Sequence, residues 1–152
     1  MAYFDKYGVE FSDDRRTLVR CPEDFQELLD FGEENRFERV GVFMFSPEEG
    51  TPAVSMPGQV PEEVKQERYD RLYSLAQRIS LENNRARVGS RVKVLAESVS
   101  GDGIFYVGRS YAEAPDSDGK IFFTSEEPLE AGDMAEVELL IAEEYDMTGK
   151  TV

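Results

Sequence analysis

The chain has 152 residues, 40% of them apolar, which is enough to bury a core in one domain or two small ones. With 32 acidic and 17 basic residues its formal charge is -15, which disfavours binding to phosphate backbones or anionic membranes and favours basic partners. Histidine is absent and Cys21 is the single cysteine, which excludes Ser-His and Cys-His catalysis, an internal disulfide and a three-cysteine cluster within the chain.

The N-terminal segment carries no recognisable targeting signal. MAYFDKYGVE lacks a basic start followed by an apolar run, and no window reaches the roughly 18 apolar residues of a membrane span. We therefore expect a cytoplasmic location and no membrane partner. Short β-type runs at 7–11 and 17–21 flank a polar turn, so residues 1–21 are predicted to form a hairpin.

The next segments predict two helices and a strand. Pro22 is followed by two acidic residues and by apolar residues on one face, which predicts a helix over 22–34. Pro61 begins a similar pattern, which predicts a helix over 61–83. Between them, 40–46 is an apolar run without alternation, typical of a strand covered on both faces in a parallel α/β barrel.

From residue 88 onward the apolar residues recur with the period of a strand. In 133–142, Val137, Leu139 and Ile141 are predicted to point one way and the intervening glutamates the other. Strands are predicted over 91–99, 103–109, 120–124, 133–142 and 145–152. Short strands separated by turn signals predict a five-stranded antiparallel β-barrel of OB-like type, and hence an α+β chain.

An acidic loop, GRSYAEAPDSDG at 108–119, connects the second and third predicted strands. Its Asp-Gly pair predicts a tight turn, because Gly119 tolerates the positive φ that such a turn demands. The loop resembles the G-R-x-x-x-D-A-P-E-x-D-G signature of the TRAM domain in RimO-type methylthiotransferases, radical-SAM enzymes that modify ribosomal protein S twelve. It departs from that signature at Glu113 and at Ser117. The resemblance is continuous from residue 23 to residue 152.

The resemblance implies a domain organisation and a set of cofactors. It leaves 1–21 as a hairpin of uncertain origin, and it makes 22–59 a remnant of the radical-SAM barrel, 60–87 a linker helix and 88–152 the TRAM domain. Enzymes of this family use iron-sulfur clusters and S-adenosylmethionine. The cysteine triad that would bind the cluster is absent here, so we expect neither a cluster nor any other metal or cofactor in this chain alone.

Two sets of candidate site residues follow from the resemblance. Those expected to contact the protein substrate lie in or beside the acidic loop and are Arg109, Glu113, Asp116 and Asp118. Those expected to contact the adenosyl cofactor lie at the end of the strand predicted over 40–46 and are Phe43, Phe45 and Ser46. Barrel core and strand cap remain the alternative for this second set. No residue is assigned a catalytic role.

Residues 89–152 contain 14 acidic and 5 basic residues, a balance of -9 that suits a basic protein better than RNA. The predicted function is therefore recognition of a basic ribosomal protein of the small subunit by the TRAM portion of an aspartate methylthiotransferase, with a separate radical-SAM core as a further partner. Whether the chain is itself part of an enzyme is left open. The alternatives are a stand-alone interaction protein without catalytic activity, and an RNA-binding TRAM module of a tRNA methylthiotransferase whose aromatics stack on bases.

Overall fold

The computed structural model describes residues 22–116 and 118–152. The hairpin predicted for 1–21 lies outside the described residues. The chain divides into two compact units between Ala76 and Gln77, and each is described by itself. Within the described residues, no helix combines the length and the hydropathy needed to cross a membrane.

Two α-helices form where the sequence predicts them. Helix α1 spans Pro22–Asn35 and helix α2 spans Glu62–Arg87, and each begins with two acidic residues in its first turn. Helix α2 ends four residues later than predicted, because Asn84 is buried and its amide donates to the backbone carbonyl of Glu143 at 3.0 Å. Asn84, which follows the predicted end of the helix, is therefore part of the packing of the second unit.

The strand predicted over 40–46 is wrong. These residues adopt no regular secondary structure, and Phe43 is 92% exposed. A strand needs a neighbouring strand to take its backbone hydrogen bonds, and the first unit has no strand among its described residues. The described part of this unit is therefore helical, with one 3₁₀ turn at Pro52–Ser55.

The second unit is a closed barrel of five strands. They are β1 Arg91–Val99, β2 Tyr106–Arg109, β3 Ile121–Thr124, β4 Met134–Ala142 and β5 Met147–Thr151. Around the barrel their order is β1-β2-β3-β5-β4. The prediction of an OB-like five-stranded barrel is confirmed. The bounds of β1 match the prediction, and the other strands are shorter than predicted.

The sequence predicted an antiparallel barrel, but one pair of neighbouring strands is parallel. Strands β3 and β5 pair in parallel, and the other four pairs are antiparallel. An odd number of strands cannot alternate in direction around a closed ring, so at least one pair must be parallel. The parallel pair joins strands that are separated in sequence by the whole of β4.

Alternating side chains fill the barrel interior. The fully buried members of this core are Val94, Ile121, Phe123, Val137, Leu139 and Met147. Ile141, predicted to point the same way as Val137 and Leu139, is 57% exposed. The β4–β5 register shifts between Leu139 and Ile141, and an extra residue in one strand turns the following side chain to the other face.

Candidate functional site

The β2–β3 loop, residues 110–120, begins at a buried ion pair. Arg87, the last residue of α2, donates from Nη1 to Oε1 of Glu113 at 2.7 Å and from Nη2 to Oγ of Ser110 at 3.2 Å. Oε2 of Glu113 accepts hydrogen bonds from Oγ and from the backbone N–H of Ser110, at 2.6 and 2.9 Å. The Glu113 side chain is 1% exposed and that of Arg87 is 20% exposed. The predicted substrate contact Glu113 therefore points into the unit and holds the loop.

Glu113 remains ionised at neutral pH despite its burial. Burial by itself would raise the pKa of this carboxyl group, because the charged form loses its water. The hydrogen bonds from Ser110 and Arg87, together with the charge of Arg87, outweigh that effect and hold the pKa below its ordinary value. The network thus contains a fully ionised pair with its hydrogen bonds satisfied.

The second half of the loop is closed by Asp118. Its Oδ2 accepts a hydrogen bond from the backbone N–H of Ala114 at 2.8 Å, so this predicted substrate contact also shapes the loop. Asp116 is exposed and has a φ of 60°, a conformation that Asp tolerates better than most residues. Of the four residues predicted to contact a substrate, Asp116 has the side chain most open to solvent.

Gly119 is required for a different reason from the one predicted. Its φ lies outside the left-handed region, so the expectation of a positive φ is wrong. A Cβ at this position would collide with the backbone carbonyl of Tyr145. Glycine is needed because the β2–β3 and β4–β5 connections approach each other closely here.

Arg109, the fourth predicted substrate contact, lies on β2 rather than in the loop. Its Nε donates to Oε1 of Glu97 on the neighbouring strand β1 at 2.7 Å. The two side chains are 32% and 37% exposed. The Arg109 guanidinium is therefore already paired within the barrel. Its N–O distance equals that of the buried Arg87–Glu113 pair, but the Arg109–Glu97 pair is in contact with water.

The three residues predicted to contact an adenosyl cofactor lie in the first unit. Phe43 and Ser46 are exposed, and the Phe45 ring centroid lies 5.6 Å from Nζ of Lys65. Lys65 also donates to the backbone carbonyl of Phe45 at 3.1 Å. A groove in this unit contains none of the three and is lined by Gln26, Leu29, Asp30, Glu33, Asp70, Arg71, Ser74 and Leu75. The prediction of a cofactor contact at 43–46 stays a prediction.

The acidic excess of the barrel lies in the connections between strands. The five strands carry three acidic and four basic residues, whereas the connections carry eleven acidic residues and one basic residue, Lys120. On the strands, charges of opposite sign are neighbours, as in the pair of Lys150 with Glu138 at 3.7 Å. Antiparallel pairing places the β2–β3 and β4–β5 connections at one end of the barrel and the β1–β2 and β3–β4 connections at the other. A basic partner would therefore be attracted to the ends of the barrel and not to the faces of its strands.

Sequence reasoning missed two residues that organise the loop. Arg87 was assigned to the linker helix and given no role, and its partner Glu113 is 26 positions away. Ser110 was placed in the acidic loop and given no role, yet it is 5% exposed and lies at the centre of the network. The one available signal was the basic last turn of α2, but that signal equally fits a favourable interaction with the helix dipole.

Comparison with known proteins adds two findings. Residues 88–152 match the family model described as "TRAM domain". Several methylthiotransferases are similar to the chain over most of its length. The protein named ribosomal protein uS12 methylthiotransferase RimO from Pelotomaculum thermopropionicum is 54% identical over 132 residues, which is 86% of this chain and 30% of that relative.

Proteins of the same name from two other organisms give a similar picture. The one from Desulforamulus reducens is 48% identical over 84% of this chain and 29% of its own length. The one from Acetivibrio thermocellus is 44% identical over 85% of this chain and 28% of its own length. The chain thus spans less than a third of the length of these relatives.

Proposed function

We propose that this chain, which is similar in sequence to the C-terminal region of RimO-type methylthiotransferases and contains a TRAM domain over residues 88–152, recognises the protein substrate of such an enzyme. The relatives' name gives that substrate as ribosomal protein uS12. In this proposal the barrel binds uS12 through basic side chains. A radical-SAM core elsewhere in the enzyme would carry out the methylthiolation.

The distribution of charge is the observation that carries the proposal. The connections between strands hold eleven of the fourteen acidic residues of 89–152, while the strands are nearly neutral. Ribosomal proteins bind RNA and are accordingly rich in Lys and Arg. Acidic loops of defined shape would attract such a protein and orient it, which a uniformly acidic surface would not do.

The β2–β3 loop is the part of this surface best suited to orientation. Its start is fixed by the buried Arg87–Glu113 pair and its end by the bond from Ala114 to Asp118. A loop held at both ends loses little conformational freedom on binding, so more of the contact energy appears as affinity. In the proposal, Asp116 supplies the charge that meets the partner, while Glu113 and Asp118 keep the loop in shape.

The iron-sulfur cluster of such an enzyme does not fit the residues of this chain. A [4Fe–4S] cluster is held by cysteine thiolates, and the sequence has one cysteine. Among the residues that the structure describes, no three His, Cys, Asp or Glu side chains are grouped so that they could hold a metal ion. In the proposal, this chain binds and orients the substrate, and the chemistry of the cluster belongs to the radical-SAM core.

RNA binding is the second candidate, since the strands of OB-like barrels are a common nucleic-acid surface. The basic side chains of those strands favour it, because they outnumber the acidic ones by four to three. Two of the four, Arg109 and Lys150, are already paired with glutamates. Acidic residues also crowd both ends of the barrel, so an approaching phosphate chain would meet net repulsion.

Titration calorimetry with purified uS12 tests the proposal, using two variants that remove the same charge from opposite ends of the barrel. The first carries Asp116→Asn, Glu143→Gln and Glu144→Gln, all at exposed positions of the loop end. The matched control carries E126Q, E127Q and E130Q at the other end, also exposed. At about 0.5 kcal/mol per exposed charge, the first variant should bind about tenfold more weakly than wild type.

The comparison between the two variants decides the outcome. A smaller loss for the control supports recognition through the loop end, and equal losses would reduce the interaction to general electrostatics. Absence of binding by the wild-type chain, or tight binding of tRNA at physiological salt, would refute the proposal. Asp118 is left unchanged because its carboxylate supports the loop.

A further inference from the structure

Tyr111, in the β2–β3 loop, is the most exposed of the large apolar side chains described in the second unit. Tyr111 is 89% exposed, whereas the other exposed large apolar residues of this unit range from 36% to 63%. Two other aromatics of the barrel, Tyr106 and Phe123, pack together inside it with ring centroids 5.7 Å apart. A nearly bare aromatic ring loses the hydrophobic stabilisation that burial would give it, so folding alone does not explain the position of Tyr111.

The exposure of Tyr111 follows from how its neighbours are held. Ser110 and Glu113 are 5% and 4% exposed and are joined by two hydrogen bonds at 2.6 and 2.9 Å. The backbone N–H of Ala112 also donates to Oγ of Ser110 at 3.3 Å. A turn whose two ends face inward must direct the residues between them outward. The ring is therefore presented to solvent by a fixed turn.

The support beneath this turn is charged. Arg87 anchors both ends, through Glu113 and through Ser110. Burying an ion pair carries a desolvation penalty that apolar packing would avoid, so such a pair is a poor choice where stability alone is needed. Its directional hydrogen bonds do fix one conformation of the turn, and with it the direction in which Tyr111 projects.

We infer that Tyr111 is the aromatic contact through which this loop binds an arginine-rich protein surface. The face of a tyrosine ring attracts a guanidinium group, and a tyrosine has few rotatable bonds to immobilise on binding. Asp116, exposed in the same loop, supplies the carboxylate that such a surface also needs. This inference rests on the proposed function, because it names the side chain that gives the acidic loop its specificity.

The test uses the full chain and purified uS12, with three substitutions compared by titration calorimetry. Tyr111→Ser removes the ring and should weaken binding about tenfold or more, as is typical of central aromatic contacts. Tyr111→Phe keeps the ring face and should stay close to wild type. Ile104→Ser is the control, because Ile104 lies in the β1–β2 connection at the other end of the barrel and, at 63%, is the next most exposed large apolar residue described in the second unit. It should bind as wild type does.

A fluorescence measurement reports on the position itself. The chain contains no tryptophan, so Tyr111→Trp introduces a single indole at the tip of the turn. The emission of the wild-type complex is subtracted, which leaves the emission of the new indole. This emission should shift to shorter wavelength when uS12 is added, and acrylamide should quench it less. All four positional changes are at exposed side chains, so thermal melting should show that the fold persists.

The possible results separate the two ideas. If wild type binds uS12 and Tyr111→Ser binds equally well, the assignment of Tyr111 is overturned while the proposed function stands. If Tyr111→Phe loses as much affinity as Tyr111→Ser, stacking on the ring face is refuted. If the wild-type chain does not bind uS12, the proposed function fails and this inference fails with it.

Discussion

Replacing Glu113 by Gln tests whether the buried ion pair supports the β2–β3 loop. The chain offers a matched control, since Arg87–Glu113 and Arg109–Glu97 both have an N–O distance of 2.7 Å. They differ in burial, because the glutamate side chain is 1% exposed in the first pair and 37% in the second. Any difference between Glu113→Gln and Glu97→Gln therefore reports on burial and on the two hydrogen bonds that Glu113 accepts from Ser110, and not on the N–O distance of the pair.

The expected magnitudes differ severalfold. Removing one partner of a buried pair costs about 3–5 kcal/mol, because the remaining charge is left without compensation. The Arg87 side chain is 20% exposed and can regain some water, so we expect about 3 kcal/mol, at the lower end of that range, for Glu113→Gln. Glu97→Gln breaks a solvated pair and should cost about 0.2–1 kcal/mol.

Urea unfolding followed by circular dichroism measures both losses, and pH supplies a second test. Because the folded-state pKa of Glu113 is lowered, its stabilising contribution is fully present above the unfolded value of about 4.3 and is lost as the pH falls through the folded pKa. The stability difference between wild type and Glu113→Gln should therefore shrink in acid. Equal losses from the two variants at neutral pH, or a difference that does not decrease as the pH falls below about 4.3, would refute this reasoning.

Three further predictions follow from the barrel and the sequence. Gly119→Ala should lower the melting temperature strongly because its Cβ would meet the Tyr145 carbonyl, whereas Gly101→Ala, with open space around it, should not; equal melting temperatures would contradict this. A fragment 77–152 should be more resistant to urea than 88–152, because the last turns of α2 hydrogen bond to the barrel; equal midpoints would show that these bonds do not stabilise it. Anaerobic reconstitution of the chain with iron and sulfide should produce no visible absorbance, since one cysteine cannot replace three cluster ligands. A stable visible absorbance together with an iron content of about four per chain would contradict this.

The sequence alone determined the features that depend on near neighbours. Helix α1 begins at Pro22, as predicted, because a proline followed by acidic residues suits a first turn wherever it occurs. Strand β1 has the bounds predicted from its alternation, and the barrel strands follow one another as predicted. The total charge of -15 was likewise fixed by composition.

Tertiary structure decided which acidic residue of the loop faces inward and which faces the solvent. Glu113 and Asp116 are three positions apart in one acidic segment, and no local pattern distinguishes them. Glu113 is buried because Arg87 reaches it from the end of a helix 26 residues earlier, while Asp116 stays exposed. The apolar run 40–46 is a second example, because its pattern predicts a strand but the first unit has no strand among its described residues with which it could pair. Local preferences act over about four residues, whereas burial and pairing depend on groups that only folding brings together.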